Sequence, residues 1–249
     1  TKILVFYPED GVSPMQKLQM VTQEGGNVGV CAIRGNFDTA QTGVKTIFTD
    51  PALKQLLAEN NMMFSSANSI NWGRLLPQIV YYISAYCDLC ADGRLQMGQP
   101  MNVCVPTGNF GNILAAYYAR KMGLPVARFI CASNRNRILS DFISTGVYDC
   151  NREFYATTSP SMDILISSNL ERLLFDLADG DDAEIVRLMG DLKEKRCYTV
   201  SPAMLEKLQS LFSAGWCDDE QVAETIRLAF EKHGYLCDTH TAVALHVYE

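Results

Sequence analysis

Residues 108–112, Gly-Asn-Phe-Gly-Asn, sit between two patterned stretches. Before them, residues 102–105 are apolar and β-branched, the signature of a buried strand. After them, Ile113, Leu114, Tyr117, Tyr118 and Met122 fall at helical spacing, and Gly123 follows as a stop. A two-glycine turn from a strand into a helix N-terminus leaves backbone N–H groups without intrahelical acceptors, where the helix dipole adds positive potential. Gly108, Asn109, Phe110, Gly111 and Asn112 are therefore a candidate phosphate cradle. The eight-residue P-loop pattern is absent, since no Lys-Ser/Thr pair closes the turn. The competing reading is an ordinary strand-to-helix turn with a glycine at each bend.

A second polar concentration lies at residues 65–71, Ser-Ser-Ala-Asn-Ser-Ile-Asn, with Arg74 one helical turn beyond Asn71. Hydroxyls and amides crowded ahead of a helix can hold an anion or a carboxylate, and an arginine can add a bidentate clamp. The alternative is a cluster of helix-capping residues, for which Ser and Asn are favoured. Two such turns in one α/β chain suggest a site between them. Other chemistries find less support. No G-x-S-x-G elbow occurs, and His233, His240 and His246 all lie near the end of the chain. Cys87 and Cys90 have C-x-x-C spacing, but no second pair accompanies them as a zinc site would require.

The elements that must position these residues follow an alternating order. Residues 2–8 read as a strand and 13–26 as a helix, with Ser13 as its N-cap and Pro14 as its first residue. A strand over 27–35 and a helix over 36–50 follow, the latter with Phe37, Ala40, Val44, Ile47 and Phe48 on one face. A short helix over 51–61 and a strand over 62–67 complete a βαβ series, which implies a parallel, helix-covered sheet. Residues 65–90 run from a polar start into a long apolar helix that Pro77 should begin or kink. Beyond the glycine turn, 125–133 read as a strand and 135–148 as a helix. After Tyr148 the texture becomes a polar loop that passes into a helix within 156–182, and three more helices follow around 183–195, 201–214 and 218–233. The domains implied are residues 1–70, a small α/β domain, and 71–249, a larger one with a helical C-terminal part.

Composition narrows the function classes. The 249 residues are 48% hydrophobic and 20% charged, ordinary for a protein with a real core. A net charge of −7 disfavours a nucleic-acid partner, which needs basic patches. Apolar runs are far shorter than a membrane span. Nine cysteines, an odd number scattered through apolar segments, predict reduced, buried thiols in a cytoplasmic protein. The chain opens directly into a strand and stops in an uncapped apolar helical pattern, so a piece of a longer protein is expected.

The combined segments at 105–125 (VPTGNFGNILAAYYARKMGLP) and 130–148 (ICASNRNRILSDFISTGVY) resemble threonine synthase. Residues 65–82 and the DTHTAVALHVY segment at 238–248 resemble the same family in the same order. That resemblance implies the tryptophan synthase β-like fold (fold type II of the pyridoxal-phosphate enzymes), with parallel sheets flanked by helices. It also implies pyridoxal 5'-phosphate as cofactor, its phosphate at Gly108–Asn109–Phe110–Gly111–Asn112. Ser66, Asn68, Ser69, Asn71 and Arg74 are implied on the substrate side, and O-phosphohomoserine as the substrate.

One departure stands out. The family's cofactor-bearing lysine lies in an N-terminal Ala-Phe-Lys-Asp-Phe-type motif, and none of the nine lysines here has that setting. Lys45 is the least exposed of them by pattern. The expectation is therefore a threonine synthase segment that is inactive alone. The alternatives are another fold type II enzyme, of the serine/threonine dehydratase or cysteine synthase kind, or a non-catalytic phosphosubstrate-binding relative.

Overall fold

A computed structural model describes residues 2–9, 12, 14–35, 37–65 and 69–249, without the side chains of residues 16, 37, 38 and 41. Two compact units divide the chain, Thr1–Ser66 and Ala67–Glu249.

In the first unit, β1 (Ile3–Pro8) and β2 (Val28–Ile33) pair in parallel, with Ile3 opposite Val28 and Pro8 opposite Ile33. Helix α1 (Pro14–Val21) connects them, and α2 (Phe37–Thr49) and α3 (Pro51–Glu59) follow. Ala40, Val44, Ile47 and Phe48 form the half-buried stripe of α2. Phe37's side chain and the expected Ser13 cap lie outside the described residues. Asp50 caps α3 by accepting from the N–H groups of Ala52 and Leu53. Residues 62–65 form no strand, contrary to the sequence reading. Their apolar character serves packing in part, since Phe64 stacks on Phe48 with ring centroids 5.0 Å apart.

The second unit opens with α4 (Trp72–Leu75) and α5 (Gln78–Ala91). These are two helices rather than one, because Pro77 cannot donate a helical hydrogen bond and stands just ahead of α5. A parallel sheet follows in the order β3-β4-β7, built from β3 (Met101–Pro106), β4 (Val126–Ser133) and β7 (Phe212–Trp216). Between β3 and β4 runs α6 (Gly111–Lys121); α7 (Ile138–Thr145) follows β4. The expected helix over 201–214 ends early: α10 (Pro202–Leu211) passes straight into β7, where Phe212 lies opposite Phe129. A small antiparallel pair, β5 (Val147–Asp149) with β6 (Cys197–Thr199), brackets α8 (Leu170–Leu177) and α9 (Asp182–Lys195).

Period-two side chains divide this sheet between two cores. Val103, Val105, Phe129, Cys131 and Phe212 face the cluster filled by α6, α7, α8 and α10. Ala132 and Cys104 face the other, filled by α11 (Asp219–His233) and α12 (Thr239–Tyr248). A Cβ on Gly215 of β7 would stand 2.7 Å from Val247 Cγ1, so glycine lets α12 lie close against the sheet. Burial raises the thiols of Cys104 and Cys131 to about 11 and about 12, which makes them inert packing groups. Not every cysteine is buried as expected: Cys31 and Cys87 are exposed. No helix among the described residues is long and apolar enough to cross a membrane.

Candidate functional site

The glycine turn runs from the C-terminal end of β3 to the first residue of α6, where parallel α/β sheets place their ligands. Phe110 occupies the N-cap position in the left-handed region, at φ 63°, and offers no side-chain cap to α6. An aromatic residue adopts that conformation only where packing compels it. Here the ring is 1% exposed and lies 5.9 Å from that of Phe212, so the core holds the strained turn in place.

The two glycines meet different neighbours. A Cβ on Gly108 would stand 2.6 Å from the backbone oxygen of Ser161. A Cβ on Gly111 would stand 2.7 Å from Ser69 Cβ and 2.8 Å from Ser69 Oγ. Gly108 is thus demanded by the loop behind it. Gly111 is demanded by the serine that sequence reading placed at the site.

What distinguishes this turn is the treatment of its carbonyls. Ser167 Oγ donates to Gly108 O at 2.9 Å. Asn169 donates to Asn109 O twice, from its backbone N–H at 3.1 Å and from Nδ2 at 2.9 Å. In a trans peptide the C=O and N–H point in opposite directions. Anchoring these two oxygens therefore turns the N–H groups of Asn109 and Phe110 away from the 167–169 segment. No hydrogen bond is seen from the N–H groups of Gly111, Asn112 or Ile113 to any described residue, as expected for the first turn of an uncapped helix. On the far side, Tyr82 of α5 donates to both Oδ1 and the backbone oxygen of Asn112. The turn thus offers donors and contains no carboxylate, which fits a phosphate and not a cation.

Of the substrate-side candidates, Ser66 and Asn68 lie outside the described residues. Ser69 joins the turn: its Oγ accepts from Asn169 Nδ2 at 2.9 Å. Arg172 of α8 grips the same stretch, reaching Ser69 O at 3.1 Å and Ile70 O at 2.5 Å. Asn71 accepts from the Gly73 N–H at 2.9 Å and caps α4, and Arg74 stands exposed in that helix. All nine lysines are exposed. Lys45, the least exposed of them by pattern, is exposed like the rest.

Sequence reading missed the wall formed by residues 155–169. Its Asp163 carboxylate, 8% exposed, accepts from Asn134 Nδ2, Asn136 Nδ2, Thr157 N–H and Thr157 Oγ at 2.8 to 2.9 Å. Asn134 and Asn136 directly follow β4, so this network ties the wall to a strand end. Further support comes from α12, where His240 Nε2 faces the Ser161 N–H at 3.3 Å and Nδ1 faces Asp238 Oδ1 at 3.2 Å. The available signal was the run of small polar residues, TTSPSMD and SSN, punctuated by proline. Concavity alone is no guide here: a groove of about 580 Å³ bounded by Trp72, Tyr118, Arg172 and Phe175 is lined by none of the turn residues.

No protein-family model matches the chain. Threonine synthase-like 1 of Homo sapiens is 47% identical over 97% of the chain, which spans 33% of that protein. The threonine synthase of Eremothecium gossypii is 40% identical over 98% of the chain, which spans 48% of it. Among solved structures, pyridoxal-phosphate-bound threonine synthase from Brucella melitensis superposes with a TM-score of 0.86 at 42% identity, over 99% of this chain and 51% of that one. The chain thus spans a third to a half of the length of these relatives. In sequence and fold it belongs to the threonine synthase family, with the tryptophan synthase β-like fold of pyridoxal-phosphate enzymes.

Proposed function

We propose that this member of the threonine synthase family supplies the phosphate cradle and part of the substrate wall of a pyridoxal 5'-phosphate enzyme. The whole protein then converts O-phosphohomoserine and water to L-threonine and phosphate, in the cytoplasm. One observation carries the reading: the carbonyls of Gly108 and Asn109 are tied down, so the neighbouring N–H groups turn away from the 167–169 segment next to the uncapped end of α6. The cofactor bound in the Brucella melitensis relative supports the choice of phosphate ligand.

In this reading Gly108, Asn109, Phe110, Gly111 and Asn112 hold the cofactor phosphate through backbone N–H groups. Ser66, Asn68, Ser69, Asn71 and Arg74 line the substrate side. When bound, the cofactor supplies an electron sink that lets the substrate lose protons, expel phosphate and take up water. The covalent attachment lies elsewhere in the whole protein. All nine lysines here are exposed, and a fully hydrated, protonated amine is a poor nucleophile. This chain by itself is accordingly inert.

The test is threonine and phosphate production from O-phosphohomoserine by the full-length protein, followed by borohydride reduction and mapping of the labelled lysine. Turnover with the label outside these 249 residues supports the reading. A label on any of the nine lysines here contradicts it. A second reading, a phosphosubstrate-binding protein without turnover, is favoured by the higher identity to threonine synthase-like 1 than to threonine synthase. Binding of O-phosphohomoserine with no product and no labelled lysine selects that reading.

A further inference from the structure

Asn169 stands where the parts of the site meet. It is fully buried, and both polar atoms of its side-chain amide are hydrogen-bonded. Nδ2 has two hydrogens; one goes to Asn109 O and the other to Ser69 Oγ, both at 2.9 Å. Oδ1 accepts from Arg172 Nη1 at 2.6 Å. This settles the orientation of the amide. Rotating it by 180° would set its NH2 against the guanidinium and its oxygen against another carbonyl oxygen.

The consequence falls on Ser69. A hydroxyl has one hydrogen to give and two lone pairs to fill. Asn169 fills a lone pair of Oγ, so the Ser69 hydrogen must point elsewhere, and it reaches no described group. The hydroxyl lies beside Gly111, 2.8 Å from where a Cβ would stand, at the first residue of α6. Through Asn109 O the same amide also helps turn the Phe110 N–H outward. One buried side chain thus sets the direction of two donors on different segments, through bonds to Ser69 and Asn109, 100 and 60 residues away from it.

We infer that Asn169 is a positioning residue of the anion cradle, one that commits the Ser69 hydroxyl and the Phe110 N–H to donate to a bound phosphate. This rests on the reading of residues 108–112 as a phosphate site. Asn169 meets the ligand only through those two donors. Arg172 keeps it from flipping and also holds Ser69 O and Ile70 O, so the serine cannot drift from the turn.

The experiment titrates two probes, pyridoxal 5'-phosphate and pyridoxal, into full-length protein stripped of cofactor. The ratio of their dissociation constants isolates what the phosphate contributes. Asn169→Ala and Ser69→Ala are each expected to reduce that ratio about tenfold, the scale of one hydrogen bond to a charged group. The double variant should lose little beyond Asn169→Ala alone, because the Ser69 donor is one of the two that Asn169 positions. A purely structural role would weaken both probes equally and leave the ratio unchanged, and that result overturns the proposal. Should Asn169→Ala fail to fold, Ser69→Ala decides: an unchanged ratio in that folded variant also overturns it. Gly111→Ala separates the two layers of the argument. If it too leaves the ratio unchanged, the phosphate site itself is wrong. If it alone lowers the ratio, only the role of Asn169 falls.

Discussion

The two polar turns, at 69–74 and at 108–112, look alike in sequence and end up doing different things with their helices. In the first, Asn71 spends its side-chain oxygen on the Gly73 N–H and closes the end of α4. In the second, the N-cap position holds Phe110, whose ring is buried in the core and caps nothing, so the end of α6 stays open. A helix end that keeps its cap is finished as structure; one whose neighbours hold only its carbonyls remains able to bind an anion. The difference lies less in the glycines than in what surrounds them. Ser167, Asn169 and Tyr82 all work on the second turn from outside.

Arg172 is the bridge between the two turns, and removing it should have the largest effect on stability. Arg172→Ala deletes hydrogen bonds to Ser69 O, Ile70 O and Asn169 Oδ1 from a half-buried charged donor. The expected loss is about 2–3 kcal/mol in denaturant unfolding. Arg172→Lys should not recover it, since an ammonium cannot span three acceptors as a guanidinium does. A loss below about 0.5 kcal/mol would mean that the turns are held independently.

Asn71→Ala sharpens the comparison from the other side. If the side chain only caps α4, stability falls by about 1 kcal/mol while the KM for O-phosphohomoserine in the full-length protein is unchanged. A raised KM with cofactor affinity intact would give Asn71 the substrate-facing role proposed above as well.

A third helix start, that of α12, provides a pH-dependent control. Its N-cap Asp238 is held at about 2 chiefly by the Thr241 hydroxyl, with the N–H groups of Thr241 and His240 assisting against the opposing effect of burial. Since the folded-state value lies below the ordinary 3.8, this cap contributes fully above pH 3.8 and is lost as pH falls toward 2. Amide hydrogen exchange in α12 should therefore speed up over that window, by a small factor, because the carboxylate is largely exposed. Asp238→Asn should remove the pH dependence while keeping an acceptor for the cap. Identical pH profiles in both proteins would contradict the assignment.

The turn itself was legible in the sequence because strand, glycines and helix follow one another without interruption. Much of the parallel α/β pattern was legible for the same reason: each strand and helix carries its own period. Elsewhere the local signal was weak. Residues 212–216 follow α10 with no turn residue between, so a strand there looks like a longer helix until Phe212 is seen opposite Phe129. The pair β5 and β6 has three residues in each strand, too few to show alternation. The wall at 155–169 has no period at all. Asn169 reads as one more polar loop residue, and its meaning appears only when the chain brings Ser69, Asn109 and Arg172 around it.

The central claim is that the open end of α6, lined by the tied-back turn, holds a phosphate. Gly111→Val in the full-length protein tests it most directly, because the added side chain would enter the space between the backbone and Ser69. Pyridoxal 5'-phosphate affinity should fall by roughly a hundredfold, the equivalent of losing about two hydrogen bonds to a charged group, while the protein stays folded by circular dichroism. An unchanged affinity in that folded variant would contradict the account.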